Sequence, residues 1–140
     1  MRTFHGSRSK LMALFTTLVA VGLLGMTSTA AAESHTTKPF AGNTVNGGTV
    51  TLSKQGNRTI LTLSSGFKVP GSPDPHWQLV DSKGNVYLID KLKIKDDKVK
   101  TSITVPAYVR DIAKVQMWCA WAEVVLGEAP FSAPVMASAQ

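Results

Sequence analysis

The chain has 140 residues, a single cysteine, 17% charged residues and a formal net charge of +6. That length makes one domain, with enough apolar residues (44%) to build a core unaided; the lone cysteine excludes an internal disulfide framework. The positive charge does not point to nucleic acid. Removing Arg2, Arg8 and Lys10 with an expected N-terminal signal takes the 15 basic residues to 12 against nine acidic ones, or +3 over 108 residues.

Arg2, Arg8 and Lys10 precede and open an uncharged run from Leu11 to Met26, followed by Thr27-Ser28-Thr29 and Ala30-Ala31-Ala32. Basic, apolar, then small is the order of a secretory signal peptide, with cleavage expected after Ala32. The run falls short of the roughly 20 residues a spanning helix needs. The mature chain is therefore expected to be secreted or periplasmic, with no stable membrane insertion. No cysteine follows the run to carry a lipid, and no Arg-Arg pair precedes it.

Beyond the signal the patterns are almost all β. Glu33 to Asn43 is polar and reads as a loose arm, with Phe40 as the one residue suited to docking. Asn46-Gly47-Gly48 reads as a turn, and Thr49 to Leu52 alternates at the strand period of two. Lys54 to Asn57 reads as a turn leading to a strand over Thr59 to Leu63, with Leu61 and Leu63 on one face. Pro73 and Pro75 remove ladder donors, so Gly71 to Pro75 is not a strand interior. Trp77 to Val80 and Val86 to Ile89 flank Ser82-Lys83-Gly84-Asn85 as a hairpin-like pair. A further strand is expected within Val99 to Val105, and Ala107 to Lys114 is the best place for a helical turn. Val115 to Leu126 is the longest apolar stretch. The expected fold is all-β, an antiparallel sandwich or flattened barrel of roughly seven to nine short strands. The expected division is a signal peptide over 1–32, a flexible arm over 33–39, a β domain over 40–131 and a tail over 132–140.

Parity puts Val115, Met117, Cys119 and Trp121 on one apolar, core-facing side, with Gln116, Trp118 and Ala120 on the other. Free cysteine often packs as a small buried hydrophobe. To work as a thiol, Cys119 needs a lowered pKa, and Lys114 and Arg110 are the nearest basic residues in sequence. Covalent c-type haem has no Cys-x-x-Cys-His motif here. Blue copper wants two histidines, one cysteine and usually a methionine, and no histidine follows Cys119. Non-covalent haem, with Cys119 or His76 as axial ligand, stays open. His76 reads either as a ligand at a loop rim or as a plain strand start. Asp74, Asp96 and Asp97 lack the alternating oxygen ligands of a calcium loop, and no metal site is expected.

Lys91-Leu92-Lys93-Ile94-Lys95 is the basic cluster. Leu92 and Ile94 on one face would leave Lys91, Lys93 and Lys95 on the other. That face suits an acidic redox partner or an anionic cell-surface component, or it simply prevents edge pairing. Asn57-Arg58-Thr59 is a glycosylation sequon, meaningful in a eukaryotic secretory pathway.

The order of these pieces resembles the DM-13 domain, an electron-transfer family found near DOMON-type redox domains. The resemblance spans Phe40 to Phe131. It rests on Val45-Asn46-Gly47-Gly48-Thr49-Val50, Leu61-Thr62-Leu63 with Phe67, Gly71 with Pro73-Asp74, Leu92-Lys93, Val105-Pro106, Val115-Gln116-Met117-Trp118-Cys119 and Val124-Val125-Leu126-Gly127-Glu128-Ala129. Ser72 interrupts the Gly-Pro-Asp signature, and Ala122 stands where an aromatic is usual. The resemblance implies an all-β sandwich whose characteristic cysteine, proposed to work as a bare thiol or cofactor ligand, falls on Cys119. Two functions follow as expectations. One is a monomeric exported redox domain using Cys119, not an enzyme of hydrolase type. The other is a non-catalytic binding or structural module with Cys119 as core packing.

Overall fold

A computed structural model describes residues 34–137, together with Gly25. The segment read as a signal peptide, with its cut after Ala32, lies outside the described residues. Among the described residues, eight antiparallel strands form two sheets of four. In chain order they are β1 (Ser34–Thr36), β2 (Val50–Gln55), β3 (Arg58–Leu63), β4 (Pro75–Val80), β5 (Val86–Lys91), β6 (Ser102–Thr104), β7 (Asp111–Cys119) and β8 (Val124–Met136). The first sheet runs β1-β2-β3-β6 and the second β5-β4-β7-β8. This is the expected all-β sandwich.

Alternation in the sequence accounts for the layering. On β2 and β3, Val50, Leu52, Leu61 and Leu63 point inward, and Ile103 of β6 joins them. From the second sheet come Trp77, Leu79, Val115, Met117 and Ala129. The Trp77 indole, fully buried, donates to the Lys100 carbonyl at 2.9 Å, so burial strands no donor. The hairpin β4–β5 forms where expected, and Gly84 takes the left-handed backbone its turn requires (φ 85°). Pro75 stands at the first position of β4, where a missing N–H is tolerated.

Four expectations need correction. The arm is not loose from Ser34 on: Ser34–Thr36 pair with β2, and Lys38 and Ala41 hydrogen-bond the free edge of β8 at Pro130 and Glu128. Backbone bonds are joined by two threonines, Thr36 Oγ1 against Thr51 Oγ1 at 3.0 Å and Thr37 Oγ1 accepting the Val50 N–H at 2.9 Å, and short polar side chains of this kind do not mark a strand in sequence. Phe40 does dock, 5.4 Å edge-on from Phe67. The turn expected from Lys54 begins later, because β2 runs to Gln55 and Gly56 (φ 58°) turns the chain. Ala107 to Lys114 holds no helical turn: Val109 N–H closes a tight turn on Pro106, and β7 starts at Asp111. The tail from 132 is strand as far as Met136, paired through Ile112↔Val135 and Asp111↔Met136.

Candidate functional site

Cys119 is the last residue of β7, between Pro75 on β4 and Val124 on β8. It is 1% exposed and belongs to the core, as its parity with Val115 and Met117 requires. Trp121 does not follow them inward; it is 77% exposed. The apolar stretch from Val115 to Leu126 is a hairpin rather than one strand. It turns over Ala120 to Glu123, and Glu123 carries the left-handed backbone (φ 55°). That turn also resolves the inward Glu123 that continued alternation would demand.

The Ala120–Glu123 turn follows directly on Cys119 at the end of β7. The N–H groups of Ala122, then Asp74 and Trp121, hold the Cys119 thiol below its ordinary pKa; burial and the Asp74 carboxylate oppose them. The Ala120 N–H bonds the Asp74 carbonyl at 2.9 Å, tying the turn to the start of β4. The basic residues nearest in sequence contribute nothing. Lys114 lies five residues up β7, about 16 Å at strand rise, and pairs with Glu128 at 2.8 Å. Arg110 precedes the far end of the same strand.

His76 sits one rung from Cys119 but on the other side of the sheet. Pro75 faces Cys119 and His76 faces Trp118, and successive residues point to opposite faces. The His76 ring packs edge-on to Trp118, with centroids 6.4 Å apart, and its Nδ1 lies 3.0 Å from the Asp74 carbonyl and 3.7 Å from the Asp74 carboxylate. The two side chains do not converge on one cofactor. A haem at Cys119 does not fit these residues either: the thiol is enclosed in packed core at 1% exposure. Among the described residues no three His, Cys, Asp or Glu side chains group as metal ligands.

The lysines do not form the expected face. β5 ends at Lys91; Leu92 is buried, but Ile94 is 47% exposed. The chain then makes a short 3₁₀ turn over Lys95–Asp97, where Asp96 and Asp97 take positive φ. Lys91 lies 3.7 Å from Asp74, Lys93 reaches the Ser72 carbonyl at 3.4 Å, and Lys95 is on the turn. The strand reading of Lys91 to Lys95 fails because β5 ends at Lys91 and the chain turns from Lys95.

No protein-family model, curated protein or solved structure matches this chain. The site is a buried thiol under the Ala120–Glu123 turn, beside a pair formed by Asp74 and Lys91.

Proposed function

We propose that this chain is an exported, redox-associated domain of the electron-transfer DM-13 type, with Cys119 working as a bare thiol rather than a cofactor ligand. The observation that carries the reading is the place of Cys119, closing β7 under the Ala120–Glu123 turn and beside Asp74, where backbone N–H groups lower its pKa. Such donors favour thiolate, which is the nucleophilic form. The signal-like order of residues 1–32 and the resemblance from Phe40 to Phe131 support export and a redox setting.

With one cysteine, the chemistry is exchange with a partner. The Cys119 thiolate attacks one sulfur of a partner's disulfide. The partner's S–S bond breaks, a mixed disulfide forms, and the partner's second sulfur leaves as thiolate. At 1% exposure this requires the Ala120–Glu123 turn to open. That same burial favours a second reading, a non-catalytic binding or structural module in which Cys119 fills the core.

Alkylation of Cys119 by iodoacetamide separates the two. The redox reading expects a measurable rate in the native protein, with a pH midpoint below that of the urea-unfolded chain. A thiol that reacts only after unfolding assigns Cys119 to packing.

A further inference from the structure

Lys54 stands at an inward-facing position. Val50 and Leu52 precede it at alternate residues of β2 and are fully buried, so Lys54 continues their register to the end of the sandwich, where the core stops. Its Nζ donates to Thr59 Oγ1 at 2.7 Å and to the Ala137 carbonyl at 2.8 Å. Thr59 Oγ1 in turn donates to the Ala137 carbonyl. An ammonium has three donors. Two neutral acceptors fix this one and, among the described residues, leave its third N–H uncommitted. The ion pairs among the described residues use Asp74, Asp90 and Glu128 with other cations, and none includes Lys54.

Lys54 lines a groove of about 820 Å³ between β1 and the C-terminal half of β8. The groove arises from the strand pairing. The 37–45 segment bonds the outer edge of β8 only as far as Pro130, while β1 belongs to the other sheet. From Phe131 onward that edge of β8 has no strand neighbour among the described residues. Leu52, Phe131, Val135 and Met136 supply apolar walls, His35, Asn57 and Ser132 add polar groups, and among the described residues no acidic side chain lines the space. This is the usual composition of a small-molecule site: a mostly apolar cleft with few fixed polar groups.

We propose that this groove binds an aliphatic carboxylate of medium chain length. The head sits on Lys54 Nζ as a charge-assisted hydrogen bond, and the tail lies along Phe131 and Val135. The proposal is independent of Cys119, which lies outside the groove.

The test titrates the purified full-length chain with decanoate, decanol and decyltrimethylammonium, by calorimetry and by amide chemical shifts. Decanoate is expected to bind saturably, to move the Leu52, Lys54 and Val135 amides, and to bind roughly tenfold tighter than decanol. Lys54→Gln keeps donors for Thr59 and Ala137 while removing the charge. It is expected to bind decanoate and decanol alike. Lys54→Met gives a second variant, and the loss of the decanoate preference in high salt gives a check that needs no substitution. Equal binding of decanoate and decanol by the unsubstituted chain overturns the proposal. So does a preference that survives Lys54→Gln, or shifts confined to residues outside the groove.

Discussion

Cys119 and His76 occupy neighbouring rungs of the β4–β7 ladder, yet their side chains leave the sheet on opposite faces. A nucleophile–base pair is therefore ruled out by one residue of register. His76→Ala is expected to leave the pH midpoint of Cys119 alkylation unchanged. Asp74→Asn is expected to move it down, because the Asp74 carboxylate works against the thiolate. A midpoint that follows His76 and ignores Asp74 would contradict this placement.

Asp81 closes the β4–β5 turn. One carboxylate oxygen accepts the Lys83 and Asn85 backbone N–H groups at 2.9 and 2.8 Å; the other accepts the Asn85 side-chain amide at 2.8 Å and the Tyr87 hydroxyl at 2.9 Å. The Asn85 side chain, followed by the Asn85 backbone, Tyr87 and Lys83, lowers the Asp81 pKa to about 2. A folded value below the unfolded one, about 3.9, stabilises the protein above that unfolded value. The contribution is lost as pH falls toward 2. Tyr87 shifts the other way: its bond to Asp81 raises its pKa, so its contribution is present below the unfolded value and lost at high pH. Asp81→Ala is expected to lower the thermal midpoint at pH 7 and to narrow the gap to the unsubstituted protein as the pH approaches 2. Thermal melts across that range measure it.

The parts of this fold that were legible were those where side chains alternate or turns carry glycine. Leu61 and Leu63 marked β3, and Ser82 to Asn85 marked the hairpin, because burial on one face and left-handed backbone each leave a residue signature. The turn over Cys119 left none. Ala120, Trp121 and Ala122 are apolar, and Glu123 takes positive φ without being glycine or asparagine. Cys119 was legible as core-facing, but its amide donors were not. Their positions follow from that turn and from Asp74, 45 residues earlier in the chain. Lys54 was hidden differently: its inward position depends on β2 running past the expected turn.

The outward face of the second sheet holds a polar ladder. Gln78 Nε2 donates to Gln116 Oε1 at 2.8 Å, Gln116 Nε2 donates to Glu128 at 3.0 Å, and Lys114 reaches the same Glu128 oxygen. Both glutamines are buried. Gln78→Leu leaves the Gln116 oxygen without its donor, at a cost of about 1–3 kcal/mol. Replacing both by Leu removes the stranded group and is expected to recover most of that loss. A double-mutant cycle in urea checks the coupling.

Gly127 sits where the 37–45 segment crosses β8. The Thr44 and Val45 N–H groups bond the Leu126 carbonyl at 3.1 and 3.0 Å, which draws Val45 against the glycine. A Cβ there would collide with the Val45 carbonyl oxygen and lie 2.9 Å from the Val45 Cβ. Relief would have to come from backbone, since neither contact is the end of a flexible side chain. Gly127→Ala is therefore expected to destabilise the fold by about 1–3 kcal/mol, with faster amide exchange in the 38–45 segment as it lifts from β8. Gly71→Ala is the matched control. It has open space around it and no positive φ, and should stay within about 0.5 kcal/mol. Equal effects at the two sites would show that the crossing at Gly127 does not hold the segment in place.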